Sequence, residues 1–295
     1  MKKIFLAAMV VCMLVSGCMG QNKGKEDVLE ITATTWPVYC FTTAVTEGVD
    51  GVRVTLVVTE PVSCLHDYTL TVNHMKLLEQ ADVLVLNGLG LEDFMSDALN
   101  AVHAEQIDCS EGIETLVGAD GSVDPHIWMD PGRAAQIVQT IAGRLSALDQ
   151  EHAERYQSNA AQAVEALTAC AAQGRDQLSQ LTCRSIITFH DGFAYFAESF
   201  DLTILRSIEE EEGSEASARD INEIIALIQD HSLPAIFTEV NGSEATAQAI
   251  ARETGVTVAP LSMLMSGTGT GLAPYLEAME QNLAALQTAL GEEQP

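Results

Sequence analysis

The sequence predicts an α/β protein of two parallel-sheet lobes joined by one long backbone helix, with a ligand cleft between the lobes. Three observations carry that prediction. A strand–helix rhythm runs through the first half of the chain and is repeated in the second. Between the halves lies a long helical stretch without a strong breaker. The 295 residues exceed what one small core needs, and such a length favours two lobes.

In the first half, residues 29–34 alternate apolar and polar as a strand does. Residues 37–47 read as a helix with Pro37 near its start. Residues 52–58 are β-branched and strand-like, 72–80 a short helix, 82–86 an apolar strand, and 91–102 a helix. In the second half, strands are expected at 184–189, 202–207, 235–238 and 256–261. Helices are expected at 192–199, 217–229, 243–254 and 273–290. Between them, 131–148 is helical with Pro131 at its start, and Asp149 looks like the N-cap of the next helix. Residues 150–181 then form one helix of about 48 Å, or two helices broken near Gly174. The expected divisions are a signal peptide at 1–17, a tether at 18–27, an N-terminal lobe at 28–148, the connecting helix at 149–182 and a C-terminal lobe at 183–295.

The N-terminus sets the compartment. Lys2 and Lys3 precede an apolar run over residues 4–15, too short for a permanent membrane span. The run ends in Val15-Ser16-Gly17-Cys18, which looks like the lipobox of bacterial lipoproteins. Cys18 is then the lipidated first residue of the mature chain, at the outer face of the cytoplasmic membrane or in the periplasm. With 42 acidic against 14 basic residues and a net charge of −28, the chain lacks the basic face that nucleic-acid binding needs. Acidity of this kind serves solubility, or raises the cation concentration near a cleft. Five cysteines remain beyond Cys18: Cys40, Cys64, Cys109, Cys170 and Cys183. No C-x-x-C motif occurs among them, and an odd number leaves one unpaired within a chain.

Three of the seven histidines stand where a strand or loop hands over to a helix. They are His66 in Cys64-Leu65-His66-Asp67-Tyr68, His126 in Asp124-Pro125-His126-Ile127-Trp128, and His190 in Phe189-His190-Asp191-Gly192. His66 and His190 follow strands at their carboxyl ends, where open α/β sheets place ligands. Three imidazoles make a partial shell for Zn²⁺. Asp67, Asp124, Asp130 and Asp191 are candidate partners for the second ring nitrogens. Gaps of 60 and 64 residues match no local metal motif, so the residues alone leave ordinary surface histidines as an alternative. His74, His103, His152 and His231 lie on or beside helices among polar neighbours and read as solvated surface.

At these residues the chain resembles the metal-binding receptors of zinc and manganese ABC importers, the cluster A-I solute-binding proteins. The matching segments also include residues 33–39, 81–92 and 236–239, so the resemblance covers nearly everything after the tether. It implies two α/β lobes joined by a long helix. It also implies metal ligands at His66, His126 and His190, and as partners an importer permease and its ATPase. Manganese-type members often carry a carboxylate at the third position. His190 there favours Zn²⁺ over Mn²⁺. The family commonly supplies an Asp as fourth ligand after the last strand, but residues 258–267 hold no carboxylate. The fourth place falls to water, to Glu239 or to the acidic loop 209–215. Cys64 is either a further thiolate ligand or the disulfide partner of Cys40. Two other functions share such a site: an exported zinc hydrolase, although no H-E-x-x-H motif is present, and an adhesin that binds metal for stability.

Overall fold

The computed structural model describes residues 28–60, 65, 68–118, 121–209, 217–240 and 245–291. Cys18, Cys64, His66, Asp67 and residues 210–216 lie outside the described residues. Two four-stranded parallel sheets divide the chain. The first is built from β1 (Leu29–Ala33), α1 (Trp36–Val45), β2 (Val52–Leu56), α2 (Val72–Gln80), β3 (Val83–Leu86), α3 (Ser96–Ala101) and β4 (Glu105–Asp108). Its strand order is β2-β1-β3-β4. A helical pair follows, α4 (Pro131–Leu148) and α5 (Ala153–Gln177). The second sheet is built from β5 (Ser185–His190), α6 (Ala194–Ser199), β6 (Thr203–Glu209), α7 (Ala218–His231), β7 (Ala235–Glu239), α8 (Ala245–Thr254) and β8 (Thr257–Leu261). Its order is β6-β5-β7-β8, the same winding as the first, and α9 (Ala273–Leu290) closes the chain.

Parallel strands covered on both faces read as apolar runs, and the all-buried Val83–Leu86 shows it. Strand β4 is absent from the sequence reading because only Ile107 of Glu105–Asp108 is buried. The helix expected at 91–102 is a 3₁₀ turn at Asp93–Met95 followed by the six-residue α3.

The connecting helix is shorter than expected. Asp149 caps the end of α4 rather than the start of α5, and His152 occupies the N-cap of α5. The Asp149 carboxylate accepts from the His152 ring at 2.7 Å and from the Tyr156 hydroxyl at 2.8 Å. That arrangement turns the chain through a helical hairpin between residues 148 and 153. The 25 residues of α5 span about 37 Å. Gly174 does not break the helix. A β-carbon there would overlap the Phe200 ring and Leu283, so the missing side chain lets helix and neighbours meet. One end of α5 holds the first lobe, with Asn159 Nδ2 donating to the Val45 and Glu47 carbonyls at 2.9 Å. The other end reaches the second, where Arg175 donates to the Ser199 carbonyl at 3.1 Å.

Two further expectations are corrected. His74 is buried, not solvated: its backbone N–H and Nδ1 complete a capping box with Thr71 at the start of α2, and its ring stacks on Tyr68. Cys40 is a free thiol on the buried face of α1 rather than half of a bridge, and Cys64, its suggested partner, lies outside the described residues. Burial pushes the Cys40 thiol up to about 12. Cys109, Cys170 and Cys183 are also free thiols. Among the described residues, no helix is long and apolar enough to cross a membrane.

Candidate metal centre

The winding of each sheet places a topological switch point between its two central strands, β1 and β3 in one lobe and β5 and β7 in the other. Open α/β sheets bind ligands beyond the carboxyl ends of strands at such points. The buried polar atoms bear this out. Among the described residues, Thr35 Oγ1, Trp36 Nε1, Asn87 Oδ1 and Thr238 Oγ1 are buried without a hydrogen-bond partner. All four lie at the carboxyl ends of β1, β3 and β7. Unpaired buried polar groups at strand ends are places that water, an ion or a ligand can satisfy.

His190 is the last residue of β5 and Glu239 the last of β7, and both are buried. The register Thr188↔Phe237 between these strands sets His190 and Glu239 at equivalent positions, two residues further on. On the other side of β5, His190 is paired with Glu209 in the ladder.

His126 comes from the segment that ends the first lobe, just before a 3₁₀ turn at Ile127–Met129. Asp124 holds it twice. Its Oδ1 accepts from the His126 backbone N–H at 2.9 Å and from Nδ1 at 2.7 Å. A carboxylate can only accept, so Nδ1 carries a proton, and in the neutral ring Nε2 is then the nitrogen whose lone pair faces a ligand. Trp128 packs edge-on against the ring at 5.2 Å. The segment is gripped from two sides. Asn87 Nδ2 donates to the Pro125 carbonyl at 2.9 Å, and the Tyr195 hydroxyl donates to the Asp124 carbonyl at 2.7 Å. Behind Asn87, the buried Glu92 accepts from Thr34 Oγ1 and from the Asn87 and Gly88 N–H groups, at 2.7, 2.7 and 3.1 Å. Burial raises its pKa against those three bonds.

The His126 and His190 rings therefore meet from different lobes, with centroids 5.7 Å apart and planes at 89°. Two imidazoles on one tetrahedral ion, each with its nitrogen about 2.0–2.1 Å from the metal, would have ring centres about 5 Å apart. The separation found is close to that. Among the described residues no group of three His, Cys, Asp or Glu side chains gathers tightly enough to hold an ion, and His66 is outside them. Of the carboxylates proposed as partners, Asp124 meets its histidine. Asp130 instead caps α4 and pairs with Arg133 at 2.7 Å, and Asp191 accepts from the Ser207 hydroxyl at 3.3 Å. Tyr195, Asn87 and Trp128 lie in segments that carry the family resemblance, but their roles were not legible there, since their contacts join distant segments.

Two wound α/β sheets, a helix reaching both, and two imidazoles brought together from the two halves are the architecture of a two-lobed solute-binding receptor. Comparison with known families gives the particular group: the chain belongs to the family described as zinc-uptake complex component A, periplasmic, whose model matches residues 31–289. The zinc-binding lipoprotein AdcA of Streptococcus pneumoniae serotype 4 is 27% identical over 316 residues. That alignment takes in 100% of this chain and 62% of AdcA, so this chain spans about three fifths of the relative's length. Among solved structures, a crystal structure of ZnuA superposes with a TM-score of 0.79 at 28% identity, covering 90% of this chain and 100% of that one. The Zn(II)-bound ZnuA-like domain of S. pneumoniae AdcA gives 0.77 at 28% identity, covering 90% and 100%. The laminin-binding protein Lmb of Streptococcus agalactiae, described as a bifunctional adhesin and metal transporter, gives 0.79 at 25%, covering 89% and 99%.

Proposed function

We propose that this chain captures Zn²⁺ outside the cytoplasm and hands it to an ABC importer, made of a permease and its ATPase. The observation that carries this reading is the approach of His126 and His190 from separate lobes, with Asp124 leaving the Nε2 of His126 open to an ion. His66 is the third ligand, from the loop after β2. Glu239 stands beside His190 at the switch point as fourth ligand or as outer-shell partner. A dication on neutral imidazoles is uncompensated, and a buried carboxylate one strand away supplies the missing charge. A nitrogen-rich set suits Zn²⁺ better than Mn²⁺, which prefers carboxylate and water oxygens. Ligands drawn from both lobes also give a route to release, because separating the lobes dismantles the site. Cys18 carries the lipid that keeps the receptor at the outer face of the cytoplasmic membrane or in the periplasm.

The family is one of uptake components. The relatives named above bind zinc or transport metal, which favours the receptor over the zinc hydrolase. Adhesion is named for Lmb alone among the relatives given above. Elemental analysis and competitive Zn²⁺/Mn²⁺ titration of the purified chain test the reading. One equivalent of tightly held Zn²⁺, lost in His66→Ala, His126→Ala and His190→Ala but kept in His231→Ala, is the expected result. Equal affinity across all four variants would overturn the site. Glu239→Gln should weaken binding with the fold intact. A loss well beyond the 10- to 100-fold usual for outer-shell partners would make Glu239 a direct ligand.

A further inference from the structure

We infer that Met263 is a specificity-determining residue of the metal centre, closing one side of it to hard, oxygen-seeking ions. The inference rests on the receptor reading above. It starts from Gly192, two residues after His190. A β-carbon built on Gly192 would lie 3.1 Å from both Nε2 and Cδ2 of His126 and would overlap the terminal methyl of Met263. The methionine methyl and the one His126 nitrogen left for an ion therefore border the same small space.

Met263 is held there. It is buried, and its carbonyl accepts from Trp128 Nε1 at 2.9 Å, while the Trp128 ring packs against His126. The preceding residue is fixed by Asn282 of α9, whose amide accepts from the Ser262 N–H and donates to the Ser262 carbonyl, each at 2.8 Å. The following residue, Leu264, sits at φ 57°. A leucine adopts that left-handed conformation only where its surroundings impose it. Its N–H donates to Ser262 Oγ at 3.1 Å. The loop thus presents Met263 from a braced backbone, tied at once to the tryptophan beside His126 and to the last helix.

What the side chain offers is an apolar methyl and a soft thioether, with no hard oxygen. Mn²⁺ and Mg²⁺ bind through carboxylate, carbonyl and water oxygens and want about six ligands, whereas Zn²⁺ is satisfied by four with nitrogen or sulfur among them. An apolar wall at this place removes room for the extra water or carboxylate a hard ion needs. It costs Zn²⁺ little.

The test is competitive titration of the purified full chain with Zn²⁺ and with Mn²⁺, each against a chromophoric chelator, in wild type and three variants. Met263→Leu keeps the space apolar at similar volume and should leave the Zn²⁺/Mn²⁺ affinity ratio within about twofold of wild type. Met263→Asp adds a hard donor and should lower the ratio by about tenfold or more. Met263→Ala admits water and should lower it less. That variant keeps the inference testable if the buried carboxylate of Met263→Asp prevents folding, which thermal melting without metal would reveal. An unchanged ratio in Met263→Ala, and in Met263→Asp where it folds, overturns the inference while the receptor reading stands. A shift in Met263→Leu as large as in Met263→Asp also overturns it, because the sulfur itself would then be a ligand. If the wild-type chain holds neither ion, the receptor reading fails and the inference falls with it.

Discussion

The first lobe shares its core with the connecting helices: residues of β1, β3, α1, α4, α5 and α9 belong to one continuous apolar cluster. The second lobe keeps part of its core apart. Ile187, Phe189, Ile208, Ile224, Ile228, Leu233, Ile236, Ala247 and Ile250 form a separate, smaller cluster under α7 and α8. The ladders differ in the same sense. Strand β1 pairs in unbroken register with β2 and β3, whereas β5 slips against β6 between Ile186 and Ile187 and pairs with β7 about Thr188↔Phe237. The two lobes are wound alike yet anchored differently. His126 hangs on side-chain bonds from the shared frame, while His190 depends on a strand whose outer face packs on the smaller core. Small, separately cored regions open at lower free energy than the main core. On the receptor function proposed above, having one ligand on such a region would favour release of the ion.

The largest expected effect tests whether the two lobes meet in one site. His126→Ala and His190→Ala should each reduce Zn²⁺ affinity by orders of magnitude in isothermal titration. A large loss in one and none in the other would place the site in a single lobe and end the comparison.

Next come the two cores. Trp128→Ala removes a fully buried ring whose Nε1 ties the Met263 loop to the frame. It should cost about 3–5 kcal/mol in denaturant unfolding and raise hydrogen exchange in both lobes. Ile236→Ala, in the smaller cluster, should cost about 2–4 kcal/mol, with faster exchange confined to β5–β8 and their helices. Equal spread of exchange from both variants would show that the cores are one cooperative unit.

A smaller effect sharpens how His126 is held. Asp124→Ala frees the ring tautomer and should weaken Zn²⁺ binding about 10- to 100-fold with little change in melting temperature.

The smallest lies outside both lobes, at the helical hairpin. Burial works against ionisation of Asp149, but hydrogen bonds from Tyr156 and His152 outweigh it and hold its pKa below the usual aspartate range. A depressed carboxylate pKa stabilises the fold above the unfolded value, and that stability is lost as pH falls through the folded one. Asp149→Asn should therefore cost about 1 kcal/mol or less at neutral pH. The difference from wild type should shrink below about pH 4. Zn²⁺ binding should be untouched.

Local chemistry determined much of this protein. The bounds of α2, α4 and α9 are legible because apolar periodicity runs to clear stops, and in α4 and α9 a proline opens the helix. The repeated strand rhythm carries both sheets, while the three histidines at element junctions point to a metal only through the family resemblance, since their spacing matches no local metal motif. Where the signal was not local, the sequence misled. The turn at residues 149–152 contains no glycine or proline, so a hairpin looked like one continuous helix. His74 has polar neighbours in sequence, but its burial comes from Tyr68 and the capping box. The exported compartment suggested a bridge from Cys40, and only the packing of α1 shows it sealed in the core as a free thiol. The choice of Asp124 over Asp130, the meeting of His126 with His190, and the placing of Met263 before Gly192 belong to tertiary structure alone. Periodicity and capping report what a residue does within a few positions of itself. Contacts between residues 126 and 190, or 192 and 263, arise when two sheets pack on shared helices, and that depends on the volumes and bonds of the whole core.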